Sequence, residues 1–313
     1  MPTFGLDNGN ATIVVASDKN IAQNDAPVEM TQQNENIQGL NENEQKDPNA
    51  IKIIIENQNI PIVVFFGPPT CGKTMTLIRL SRYLKENGYQ VNPVRSFRPG
   101  YDTYYRGMCD NFNTMINSDL AQKGNNLISF MLVEVSYKGR PLCQILEAPG
   151  EHYFKPKEPN APFPAYINTI SACRNRKLWG FFIEPAHTNN QMEHEDRLNY
   201  VERIGRFKQQ YMHPHDKVAI IFNKIDQTDT MRDIGNANIG LAAEKANHIY
   251  PGLFNKFANE NPITKLLKPT RAAFVPYMNG FFSPLEKGGA SFQLGHDNFP
   301  RNLWSVIMKS VRG

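Results

Sequence analysis

From Ile51 onward, short apolar runs alternate with stretches of helical period, and turn residues bound each run. "IKIIIENQNIPIVVFF" predicts two strands separated by the polar residues 56–59. "TLIRLSRYLKENG" sets Leu77, Ile78, Leu80 and Leu84 on one helical face, with Gly88 as its stop. "LISFMLVEVSYKGRPLCQILEAPG" reads as an antiparallel hairpin that turns at Lys138-Gly139. "LWGFFIEP" and "KVAIIFNKID" are two further buried strands, and the amphipathic "EHEDRLNYVERIGRFKQQY" lies between them. "RAAFVPYM" is the expected last strand, and "NLWSVIMKSV" closes the chain as a helix. This alternation predicts an α/β fold with a mainly parallel sheet. Two long stretches, residues 96–126 and 151–164, carry no predicted element, and loops of that length in a compact domain are usually functional.

Residues 1–50 follow another rule. Asn, Gln, Asp and Glu dominate, and the sole apolar cluster is "ATIVVA". Such a segment buries too little to offset its own ordering entropy, so it is expected to be a disordered tail, with a docked strand at residues 12–16 as the alternative. The domain is then residues 51–313.

Composition narrows the class without naming a partner. The 313 residues carry 34 basic and 30 acidic side chains, a formal charge of +4, and no block of the sequence is basic enough to indicate nucleic acid or a membrane surface. Cys71, Cys109, Cys143 and Cys173 lack CxxC or zinc-type spacing, which fits reduced thiols in a cytoplasmic protein. No apolar run approaches the ~20 residues of a membrane span. His213-Pro214-His215 reads as a surface turn, because no carboxylate or cysteine accompanies the pair.

The chemistry begins at "FGPPTCGKTM". Gly67-Pro68-Pro69-Thr70-Cys71-Gly72-Lys73-Thr74 matches G-x-x-x-x-G-K-[ST] at every fixed position, between a strand and a helix. Gly67 and Gly72 let the backbone, Thr70 and Cys71 included, turn its N–H groups toward phosphate oxygens. Lys73 reaches the β and γ phosphates, and the Thr74 hydroxyl is a Mg²⁺ ligand. The loop does not choose a base, since it looks as much like that of AAA-type ATPases as that of GTPases. Asn223-Lys224-Ile225-Asp226 ends the apolar strand "KVAIIF" and supplies the choice. A carboxylate at Asp226 can accept from guanine N1–H and the 2-amino group, while the Lys224 stem covers the base plane and Asn223 reaches N7. Adenine cannot reciprocate that pair.

Residues 67–74, 147–150 and 223–226 fall in the order and on the strand ends expected of the Ras-like, translation-factor-related (TRAFAC) P-loop GTPases, which the chain resembles over residues 51–313. Its long loops and its departures are more similar to divergent bacterial double-GTPase domains. The resemblance implies a doubly wound sheet with helices on both faces, Ras-like topology, GTP/GDP and Mg²⁺ as ligands, and a switch cycle that engages a protein effector or activating partner. Glu147 stands where the family has the aspartate that orders Mg²⁺, and Gly150 takes the place of the glycine that meets the γ-phosphate. Glu151 falls at the position of the water-orienting residue with His152 one place later, so both are catalytic candidates. The switch threonine is missing from "LAQKGNN" before Leu127, and Thr103 and Thr114 serve only if the loop folds back. Arg95, Arg98 and Arg106 share that long loop, where solvated surface arginines are the simpler expectation over an arginine finger. The expected activity is slow GTP hydrolysis, against a non-hydrolysing GTP-binding scaffold or a P-loop ATPase as alternatives.

Overall fold

The computed structural model describes residues 39–117, 130–185, 194–259, 270–284 and 290–312. Strands β1 (Ile62–Phe66), β2 (Gln90–Pro93), β3 (Met131–Tyr137), β4 (Arg140–Glu147), β5 (Lys177–Ile183) and β6 (Lys217–Phe222) lie in one sheet with β9 (Ala273–Pro276). The order is β2-β3-β4-β1-β5-β6-β9. Pairing is parallel from β4 through β9, and β3 alone runs against its neighbours. Two small hairpins stand apart from the sheet, β7 (Met231–Asp233) with β8 (Asn236–Ala237) and β10 (Gly280–Pro284) with β11 (Ala290–Leu294). The fold is therefore α/β with a mainly parallel sheet and one antiparallel strand, as the hydropathy pattern predicts.

The helices are α1 (Glu42–Lys46), α2 (Lys73–Glu86), α3 (Thr103–Asn117), α4 (Gly150–Tyr153), α5 (Ala165–Ala172), α6 (His194–Tyr211), α7 (Ile239–Ile249) and α8 (Asn298–Arg312). Every residue of β1 and β5 is buried, which requires cover on both faces of the sheet. Helices α3 and α8 each pack on α2, and α5 packs on α6. Phe66, the last residue of β1, stacks on Tyr153 with ring centroids 4.2 Å apart and meets Phe207 edge-on at 4.8 Å, so α4 and α6 are fixed beside the end of β1. The hairpin turn falls at Lys138 (φ 50) and Gly139 (φ 73), as expected.

Four expectations change. No strand forms at residues 51–56, where Ile54 N–H instead donates to the Phe97 carbonyl at 2.8 Å. The stretch 96–126 contains α3, whose Tyr105, Met108, Phe112 and Ile116 make a buried stripe. A further hairpin, β10–β11, follows the strand expected to be last. Residues 39–50, assigned above to the tail, are ordered, whereas residues 1–38, with "ATIVVA", lie outside the described residues. Asn41 caps α1 through a capping box with Glu44, and Leu40 sits in the core. Glu44 forms an ion pair with the buried Arg98, which also holds Asp102 at 2.7 Å. The Asn49 side chain accepts from Ala165 N at the start of α5 (3.1 Å).

These contacts give a test of the domain boundary. A chain beginning at Ile51 loses Leu40 from the core and one of the two carboxylates around Arg98, and its unfolding free energy should fall by about 3–5 kcal/mol. Denaturant unfolding measures it, and midpoints equal to those of the full chain would show that residues 39–50 contribute nothing.

Candidate functional site

The carboxyl ends of β1, β4, β5 and β6 converge on the loop of residues 67–74. Gly67 is required there by packing: a Cβ would lie 2.7 Å from Phe182 Cβ and 2.9 Å from Cys71 Sγ. Thr70 (φ 59) and Gly72 (φ 91) take left-handed backbone, which curls the loop. Pro68 and Pro69 carry no N–H, so the amides available to an anion are those of residues 70–74, at the start of the 14-residue α2. Lys73 is buried, and its Nζ donates to the carbonyls of Gly67 (3.1 Å) and Pro68 (2.8 Å). The ammonium is thus held over the loop it is expected to serve. Burial raises the Cys71 thiol to about 11 despite the nearby Lys73, which leaves it protonated and inert.

Glu147 ends β4, opposite Phe65 of β1. It is 2% exposed; Thr74 Oγ1 donates to its Oε1 at 3.0 Å, and its Oε2 is buried without a hydrogen-bond partner. Burial pushes the carboxyl up to about 7, against the pull of Lys73 and the Thr74 hydroxyl. A hydroxyl and a carboxylate with an orphaned oxygen, beside a phosphate loop, suit Mg²⁺, which takes one or two protein oxygens and completes its shell with phosphate and water. Among the described residues no cluster of three or more His, Cys, Asp or Glu could hold a metal by itself.

Gly150 opens α4 directly against the phosphate loop. A Cβ there would fall 2.1 Å from Pro69 N and 2.4 Å from Pro68 C, backbone atoms that cannot swing aside. The next two residues diverge. Glu151 is exposed, whereas His152 is 3% exposed with Nδ1 3.0 Å from the Tyr166 hydroxyl. Tyr166 in turn donates toward the Tyr153 hydroxyl (3.4 Å). Burial first, then the charges of Lys73 and Lys155, lower the His152 imidazole to about 3, so it is neutral at ordinary pH. His152 is therefore a core histidine near Lys73. The proline-rich stretch beyond it is held by Arg203 of α6, whose guanidinium donates to the carbonyls of Tyr153 (2.5 Å) and Ala161 (2.7 Å) and lies 4.1 Å from the Phe163 ring centroid.

The Asn223 to Asp226 turn closes the site from β6. Asn223 is fully buried and its Nδ2 donates to the Cys71 carbonyl at 2.8 Å. This side chain, expected at the base, tethers the phosphate loop. The tether also explains Gly72, where a Cβ would stand 2.2 Å from Asn223 Nδ2. Lys224 takes left-handed backbone (φ 57) and forms an ion pair with Glu184. Asp226 is exposed on the turn Ile225–Gln227; partial desolvation raises its carboxyl, opposed by its own backbone N–H and by Lys224.

Sequence reasoning missed two neighbours. Glu184, 1% exposed, directly follows β5 at the same edge, and a lone carboxylate ending an otherwise apolar strand was the available signal. Asn279 follows β9; its Nδ2 lies 3.5 Å from Asn223 Oδ1, and no local pattern marks it. The arginines of the long loop do not reach toward the phosphate loop as a finger would: Arg98 is locked between Glu44 and Asp102, Arg95 pairs with Asp110, and Arg106 is exposed. Thr103 and Thr114 lie exposed on α3, and residues 120–126 are outside the described residues. No helix among the described residues is long and apolar enough to cross a membrane.

No protein-family model and no curated protein matches the chain. Among solved structures it is similar to nucleolar GTP-binding protein 1 of Plasmodium falciparum, at 12% identity and TM-score 0.40, over 83% of this chain and 90% of that one. A bacterial selenocysteine-specific elongation factor, EF-Sec, matches at 12% identity and TM-score 0.36 over 81% of this chain. Elongation factor SelB of Methanococcus maripaludis, in complex with the GTP analogue GppNHp, matches at 10% identity and TM-score 0.33 over 82% of this chain. The chain spans 29% and 34% of those two elongation factors.

Proposed function

We propose that this chain binds GTP with Mg²⁺ at the carboxyl edge of its sheet and hydrolyses it slowly, as a switch for another protein. One observation carries the reading: the 2.8 Å hydrogen bond from Asn223 Nδ2 to the Cys71 carbonyl ties the turn bearing Asp226 to the loop that cradles phosphate, so base and phosphates are served by one site. Asp226 accepts from the guanine N1–H and 2-amino group, and the Lys224 stem, fixed by Glu184, covers the base. The N–H groups of residues 70–74 hold the phosphates while Lys73 exchanges its loop carbonyls for phosphate oxygens. Thr74 and Glu147 hold Mg²⁺, which neutralises charge on the phosphates when bound. Four unpaired cysteines support a reducing, cytoplasmic setting. Nucleotide identified by mass spectrometry on the purified protein, followed by competition between GTP and ATP, tests the base. Equal competition by ATP returns the site to the ATPase alternative.

A second reading, a scaffold that binds GTP without turnover, is favoured by the placement of the two water-positioning candidates. His152 is bound into the core by Tyr166 and Glu151 points to solvent. If either positions the attacking water, its alanine variant should lower the single-turnover rate roughly 10²-fold or more with binding unchanged. Parental rates in both variants remove both residues from the mechanism, and a parent without turnover above buffer establishes the scaffold.

A further inference from the structure

The edge of the sheet opposite the nucleotide site, where the strands begin, has an unexpected charge. Two cavities open there on either side of the last turns of α8. One, of about 710 Å³, is lined by Lys208, Lys217, Arg271 and Lys309 around Met212, Val218 and Val306. The other, of about 540 Å³, is lined by Arg174, Arg176 and Arg312 around Leu142, Met308 and Val311. Among the described residues Asp216 is the only acid in either lining, and its carboxylate is engaged by Trp179 Nε1 (2.9 Å) and His213 N (3.0 Å). None of the seven cations has an ion pair among the described residues. Seven cations against one carboxylate exceed the +4 of the whole chain. They come from well-separated segments, which is why no basic block shows in the sequence. Like charges gathered this closely repel one another, and a polyanionic partner relieves that repulsion.

We propose that this edge is a docking surface for a segment of a partner protein that carries acidic side chains and apolar anchors. The shape decides the class. A planar lipid surface meets the cationic rims but leaves the apolar floors of the two hollows unfilled. Single-stranded nucleic acid wants a series of exposed aromatic rings to stack on; the one Phe, Tyr or Trp in the linings, Phe257, is buried, and the exposed ring of His213 is already stacked on His215 and held at Nε2 by the Ser171 carbonyl (3.0 Å). Apolar floors with adaptable Met212 and Met308 beneath cationic rims instead match alternating acidic and apolar residues. The inference stands apart from the nucleotide reading, since neither cavity includes a residue of that site.

The test uses the full chain and a fluorescein-labelled peptide built only of Glu, Leu and Phe, followed by fluorescence anisotropy over a salt series. Binding should weaken as salt rises. It should fall roughly tenfold or more in the Arg174→Glu/Arg312→Glu variant and again in Lys217→Glu/Lys309→Glu. Circular dichroism and the unfolding midpoint of both variants should match the parent, which reports that they are folded. Replacing Leu and Phe of the peptide by Ser should cost a similar factor. No binding by the parent, equal binding by the reversed variants, or equal binding of the Glu/Ser peptide overturns the proposal. Preference for phosphatidylserine vesicles or single-stranded RNA over the peptide overturns the choice of partner.

Discussion

Replacement of Lys73 by alanine is expected to remove nucleotide binding while the fold survives. Lys73 is the only lysine of the phosphate loop, and its buried Nζ already lies against the Gly67 and Pro68 carbonyls, at the place where an anion held by residues 70–74 needs a cation. Pro68 and Pro69 offer no amide, so the loop has fewer backbone donors than its length suggests and depends more on this one charge. Truncation of a buried charged partner costs about 4 kcal/mol, roughly a thousandfold in affinity. Lys73 is also the first residue of α2, a position alanine accepts without strain, so circular dichroism and the unfolding midpoint should report a native fold. Parental affinity for a fluorescent GTP analogue in the folded variant would remove the phosphate loop from the site.

The features legible in the sequence were those with a local cause. The phosphate loop is readable because close packing needs glycine at residue 67, left-handed backbone favours it at residue 72, and a cation must stand among the loop's amides. The hairpin turn is readable because Lys138-Gly139 has to take left-handed backbone. Buried strands announced themselves as continuous apolar runs, and β5 and β6 lie where those runs predict. Features made by distant residues were not legible. β2 reads "QVNP", an edge strand with one buried residue that pairs only because β3 lies beside it. The stripe of α3 was hidden behind Pro99, Gly100 and Gly107, which make the segment look irregular. Order at residues 39–50 depends on Arg98, far along the chain, as the partner of Glu44. Within the site, the motif letters told which residues gather but not their contacts. That Asn223 holds Cys71 while Glu184 holds Lys224 follows from the sheet order, which sets β5 between β1 and β6.

Asp226→Asn should transfer the preference of the site from GTP toward XTP. The substitution keeps the size of the side chain, and the turn that carries it is anchored independently. Ile225 is fully buried with its N–H on the Tyr277 carbonyl (3.3 Å), and Lys224 is held in left-handed backbone beside Glu184. What changes is the hydrogen-bonding sense: a carboxylate that accepts from N1–H and the 2-amino group becomes an amide whose N–H₂ faces those donors. For GTP this removes a bidentate, charge-assisted pair and sets donor against donor, a cost on the order of 2–4 kcal/mol. XTP replaces the 2-amino group by a carbonyl, which accepts from the new amide and recovers part of the loss. ATP should stay weak in both proteins, because adenine never engaged the carboxylate. Competition binding with the three nucleotides reads all of this in one experiment. A variant that loses GTP and XTP alike would make Asp226 a residue of the turn only, whereas a parent that takes ATP as readily as GTP removes the guanine reading whatever the variant does.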